Sequence, residues 1–294
     1  IEERFSYAIK LIKTEYSCLL SDDELFLPES LNSCILEIET NNLISCKGRA
    51  IEIDFSKKFR SILGFHRYKE FYNYSILNSS SEERLQSHMS NYAMVCLWSV
   101  MRSDTLKLCL KTVAEIGPLS TCTAGEICIS LITAYLGKFK TINELMWIRS
   151  RENPAIWWSF GELGFYEWYL DKSMKNEVNI FKQVIVNNLS EQTGVGKHDI
   201  LSHIEHAIDK YIYSIKQNED DEFTKVKKLI FKLLLVICPN IVKELIKDIF
   251  GMRYKKTLNE CANELNKNEK MIFNKDDLIY TEKFLLEFHN QDLN

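Results

Sequence analysis

The sequence predicts a mainly α protein: a series of antiparallel helix pairs, as an irregular α-solenoid or a helical bundle, with a small β-meander-containing N-terminal portion. Three observations carry this expectation. Proline and glycine are scarce, 4 and 10 in 294 residues, which suits long helices better than a sandwich or barrel. From Ser79 onward, capping signals and stops recur at helix-length intervals. Only between residues 34 and 55 does the apolar pattern take the two-residue period of a strand with one buried face.

The first sixteen residues place Phe5, Ala8, Ile9 and Ile12 on one face, the spacing of an amphipathic helix. In CILEIET the residues Cys34, Leu36 and Ile38 alternate along the chain. In AIEIDF, Ile51, Ile53 and Phe55 alternate with Glu52 and Asp54. Both read as strands of an antiparallel meander. Asn41-Asn42 suits a hairpin turn, because Asn tolerates positive φ, and Gly48 marks a second turn or bulge. Residues 1–78 are therefore expected to form a small α+β portion and residues 79–294 an all-helical domain.

In that second part Ser80 and Glu83 form a capping box opening a helix through Met101. Ser103 caps the next helix, DTLKLCLKTVAEI, which Gly117-Pro118 stops. GEICISLITAYL ends at Gly137. Thr141 with Glu144 reads as another capping box before ELMWIRSRE, and Asn153-Pro154 as the next N-terminus. Further helices are expected at 176–189, 198–216, 221–237, 240–250, 254–267 and 275–289. No motif repeats with a period of 30–45 residues.

Composition narrows the function classes. The net charge is −4, and the most basic short stretch, Arg253-Tyr254-Lys255-Lys256, is too small for a nucleic-acid footprint. The longest apolar run, LIFKLLLVIC, is interrupted by Lys232 and stopped by Pro239, about half the length a membrane span requires. Nine cysteines, an odd number without a C-x-x-C pair, argue for a reducing compartment and a cytoplasmic location. The chain opens on Ile1 rather than Met, so the lack of a leader decides nothing about targeting.

Three stretches invite chemistry. TGVGK (193–197) resembles the end of a phosphate-binding loop, but Glu191 stands where its first glycine belongs and His198 where a Ser or Thr should hold magnesium. The pair of glycines reads instead as a turn between helices. Just after it, Asp199, His203 and His206 share one helical stripe that could aim three ligands at a metal. The apolar residues Ile200, Ile204, Ala207, Ile208 and Tyr211 centre on the opposite side, so the stripe reads as a solvated face. The most aromatic stretch, NPAIWWSFGELGFYEWYLD (153–171), reads as a buried central helix. Trp157, Gly161, Gly164 and Trp168 form one narrow stripe on it, a notch for close helix packing or for a partner's helix. Arg84 and His88, one turn apart, read as a surface pair.

No motif for a nucleophile, metalloprotease or dinucleotide site is present, and no cofactor is implied. The expected function is a non-enzymatic, intracellular protein-binding or scaffold module whose helical surface holds a protein partner. An immunity- or antitoxin-type inhibitor is an alternative, with NEDDE (218–222) as the local acidic candidate. From another class, a metal-dependent hydrolase would use His203 and His206.

Overall fold

Two twelve-residue strands, Ser45–Ser56 and Phe139–Ser150, run parallel through the centre of the fold. They belong to a computed structural model that describes residues 2–22, 24–56, 61–65, 71–121, 123–150, 164–220 and 256–291. In chain order the first elements are α1 (Glu2–Leu11), β1 (Tyr16–Ser17), β2 (Glu24–Phe26), α2 (Pro28–Thr40), β3 (Ser45–Ser56), β4 (Ser61–Phe65), β5 (Ser75–Ile76) and α3 (Ser81–Ser90). Then come β6 (Val100–Arg102), α4 (Ser103–Ile116), α5 (Thr123–Leu136), β7 (Phe139–Ser150), α6 (Phe165–Leu170), α7 (Lys175–Thr193) and α8 (Lys197–Asp220). Beyond the next undescribed stretch lie α9 (Leu258–Glu269) and α10 (Lys275–Gln291).

The strands make one seven-stranded mixed sheet in the order β1-β6-β3-β7-β2, with β4 also on β3 and β5 also on β7, curled into a half-barrel. Each long central strand carries two short antiparallel strands along its outer edge. The first half of β3 pairs β6 and its second half pairs β4, while β7 pairs β5 and then β2. Helices cover both faces. The main apolar cluster packs α3, α4, α5, α7 and α8 against the sheet through Ala50, Phe139 and Trp147. On the other side α2 covers Cys46 and Met146, and α9 and α10 cover Ile51, Ile53 and Ile148. Burial on both faces is why β3 is buried without interruption from Ser45 to Ile53.

This corrects the expected fold. The chain is not an all-α, repeat-like array carrying a small N-terminal meander, because its helices pack on a large mixed sheet whose strands come from both sides of residue 78. Two segments account for most of the difference. CILEIET is helical: Ser30, Cys34 and Ile38, one turn apart, are the buried residues, and Leu36 is 64 % exposed. Pro28 in the first turn is the local signal for this helix. TINELMWIRS is strand, with Leu145, Met146, Trp147 and Ile148 all buried. A strand covered on both faces loses its alternation and reads like a core helix. The helix expected to run from Ser80 to Met101 stops at Ser90, although its capping box forms as expected. Gly48 does sit in a bulge, between the register shifts at Lys47/Arg49 and Arg49/Ala50. No helix among the described residues is long and apolar enough to cross a membrane.

Candidate functional site

The bulge in β3 has a chemical consequence. It brings Lys47 and Arg49 into the interior of the fold, each only 1 % exposed. A buried charge needs partners to offset its lost hydration, and both residues have them. Arg49 donates to Asn143 Oδ1 at 3.1 Å and to Glu269 Oε2 at 2.6 Å, with its guanidinium 4.8 Å from the Tyr72 ring centre.

Lys47 sits in a box of aromatic rings. Its Nζ donates to the carbonyls of Met94 and Leu97, both at 3.2 Å. It lies 4.3 Å from the Phe71 ring centre, 4.5 Å from Trp147 and 5.6 Å from Trp98. Trp98 reaches the box from the connection between α3 and β6. Its φ of 56° is a left-handed conformation that costs a tryptophan strain. Stacking on Trp147 at 4.9 Å and the neighbouring Ser99 hydroxyl, which donates to Cys96 O at 2.6 Å, hold it there. At the rim Trp147 donates its indole N–H to Glu24 Oε2 at 2.9 Å, and Glu24 also pairs with Arg149 at 3.3 Å. Burial pulls the Lys47 ammonium down to about 7, against the pull of Glu24 and Glu126 toward the charged form.

A chain of interior polar groups continues from the box. Tyr74 Oη lies 2.7 Å from His88 Nδ1, and His88 Nε2 lies 3.9 Å from Cys96 Sγ. The tautomer that suits both has the Tyr74 hydroxyl donating to Nδ1 and the ring proton on Nε2. Burial lowers the His88 imidazole to about 3, so it is neutral, and raises the Cys96 thiol. Tyr92 donates to the Glu126 carboxylate, which burial raises above its ordinary value. Amine, imidazole, thiol and carboxyl are the ingredients of acid–base chemistry. Here the amine is held by two backbone carbonyls, the imidazole by Tyr74 and Cys96, and the carboxyl by Tyr92. Their geometry explains how the core tolerates them.

Arg84 and His88, expected as a surface pair, are both buried. Arg84 donates through Nε to Ala134 O at 2.8 Å and through Nη2 to Tyr135 O at 2.6 Å, which caps the C-terminus of α5. Its Nη1 donates to Ser79 O at 2.7 Å. The expected exposed stripe on α8 is divided by its packing against α3. Asp199 is exposed in the first turn. His203 turns toward α3, with Nε2 3.6 Å from Glu82 Oε2 and Nδ1 buried without a hydrogen-bond partner. His206 lines a shallow groove between α3 and α8 with Glu82, Gln86, Asp209, Lys210 and Tyr213. Among the described residues no group of three or more His, Cys, Asp or Glu side chains could hold a metal ion.

In the aromatic stretch, Trp157 and Gly161 lie outside the described residues. Gly164 is the N-cap of α6 in extended conformation rather than a mid-helix glycine. Trp168 is fully buried against Phe165 and Phe181, and its indole N–H donates to Glu177 Oε2 at 2.9 Å. TGVGK is a turn: Gly194, at φ 71°, ends α7 and Lys197 begins α8.

The feature that sequence reasoning missed is on α10. Its inner side buries Leu278 and Thr281 and packs Leu285 and Leu286 against the cluster below. Its outer side shows Tyr280, Phe284 and Phe288, one turn apart and 72, 48 and 54 % exposed. The spacing is present in the sequence, but Leu278, Leu285 and Leu286 of the inner side stand in the same turns, so the outer row does not separate as a stripe of its own. Comparison with protein-family models and with curated proteins finds no match for this chain.

Proposed function

We propose that this protein is a protein-binding module whose partner seats on the outer face of α10. The observation carrying this reading is the continuous aromatic row Tyr280, Phe284, Phe288, held outward by an inner side already committed to the core. Single exposed apolar residues are ordinary, whereas a contiguous row of large aromatics on a fixed helix is the composition of an interface anchor. The interior amine, imidazole and carboxyl each have their own partners, Lys47 the carbonyls of Met94 and Leu97, His88 the Tyr74 hydroxyl and Glu126 the Tyr92 hydroxyl, so the core accounts for them without a substrate. A reducing, cytoplasmic setting suits the seven described cysteines, all of them free thiols and six of them buried.

The test compares tagged wild-type protein with a Tyr280→Ser/Phe284→Ser/Phe288→Ser variant as baits in an extract of the source cells. The reading expects at least one protein, this chain or another, to be retained by the first and lost by the second, with unchanged far-UV circular dichroism. The same retained set on both baits would end it.

A further inference from the structure

We propose that the outer face of α10 pairs with the same face of a second copy of this chain, antiparallel and centred on Phe284. The proposal rests on the reading of α10 as a binding face and names its occupant. The aromatic row is symmetric about its middle member, with Tyr280 and Phe288 each four residues from Phe284. A copy turned end for end about Phe284 sets Tyr280 on Phe288 of the other copy, twice, with the two Phe284 rings meeting on the axis. A twofold interface requires such a self-complementary patch. Rows spaced by four residues are also the ridges through which helices most often interdigitate.

Charge decides the direction. At about 100° per residue, Lys283 and Glu287 fall on the same flank of the row, where they pair with each other at 3.9 Å and are largely exposed. A twofold axis perpendicular to the helix keeps that flank on one side while reversing its order. Lys283 of each copy then comes alongside Glu287 of the other, within about two residue rises along the axis. The two Lys283 lie equally close across the axis, one like-charge contact against two crossed Lys–Glu pairs. A parallel twofold pair would instead carry the two flanks to opposite sides of the interface and form no crossed pair. The antiparallel arrangement also sets the helix dipoles antiparallel, the N-terminal end of each beside the C-terminal end of the other.

Sedimentation velocity of the full chain across a concentration series is expected to show a monomer–dimer equilibrium. Phe284→Arg should abolish the dimer with unchanged circular dichroism. Lys283→Glu and Glu287→Lys should each weaken it about tenfold at low salt, and the double exchange should restore it. Phe284→Cys should cross-link to its own copy on oxidation, whereas Ile272→Cys, exposed but off the row, should not. A wild-type chain that stays monomeric, or a dimer indifferent to Phe284→Arg, overturns the proposal. If the chain is monomeric yet the triple serine variant still loses a protein from the extract, the copy is the wrong occupant and the binding face stands. If neither changes, both readings fall.

Discussion

The ammonium nitrogen of Lys47 lies 4.5 Å from the ring centre of Trp147, and the indole of Trp147 donates to Glu24. These three residues stand on β3, β7 and β2, so one cation–ring–carboxylate relay crosses the sheet through its two longest strands. The same amine ties in the connection between α3 and β6 through Met94 and Leu97. A lysine near the start of β3 thus anchors a segment expected as helix that is irregular where it meets the amine.

The pH dependence of stability should report this burial. The Lys47 ammonium is pulled from 10.5 to about 7. Between those values the unfolded chain holds a proton that the folded chain has released, so the Lys47 contribution rises with pH across the window and is lost as pH falls through 7. Lys47→Met removes that slope. Urea unfolding of both proteins at about pH 6 and about pH 9 should show the wild type gaining on the variant at the higher pH. Parallel behaviour would mean that the rings and carbonyls hold the amine charged throughout.

Glu126 carries the opposite sign. Burial raises its carboxyl above 4.5, so the fold prefers it protonated; that contribution is full below 4.5 and is lost as pH rises through the raised folded value. Glu126→Gln keeps an acceptor for the Tyr92 hydroxyl without the charge. The variant should unfold at a higher temperature than wild type at neutral pH, with the gap closing toward pH 4.5. A gap independent of pH would assign the effect to packing instead.

How far these groups could be read from the sequence follows from what burial does to pattern. The capping box at Ser80 and Glu83, the glycine stop at Gly117 and the turn at Gly194 depend on local backbone chemistry, and each appears where the residues place it. AIEIDF does lie in a strand. Strand β7 has the pattern of a core helix because helices cover both its faces. The two- and three-residue strands β1, β2, β5 and β6 are too short for any period to show. Lys47, between Cys46 and Gly48, carries no local sign of burial, since its partners lie some 25 to 100 positions away.

Gly48 tests the bulge that turns Lys47 inward. A Cβ at this position would come 2.4 Å from the Met146 Cβ and 2.6 Å from the Glu144 carbonyl oxygen. Gly48→Ala should therefore cost about 1–3 kcal/mol or more by overpacking. Gly125→Ala in α5 is the counterpart: its Cβ would meet only Val113, at an ordinary 3.6 Å. It should stabilise by about 0.4–1 kcal/mol through the lost freedom of the unfolded chain. Chemical denaturation of the two variants side by side gives both signs. Equal effects would show that β3 can shift away from β7 without penalty.

Arg84 offers the sharpest separation of local from global stability. Its guanidinium satisfies Ala134 O and Tyr135 O at the end of α5 and, from Nη1, the carbonyls of Asn78 and Ser79. Arg84→Met strands those acceptors, and at about 1–3 kcal/mol for each one left unsatisfied the loss should be about 3 kcal/mol or more. Arg84→Lys should fall between, because an ammonium has three donors and no planar fork. The cap also predicts where the damage begins. Gly137 N–H, which donates to Thr133 O at 3.1 Å in the last turn of α5, should exchange with solvent faster than amides in the middle of the helix. Uniform acceleration along α5 would show that Arg84 supports the fold as a whole and leaves the helix end no weaker than its centre.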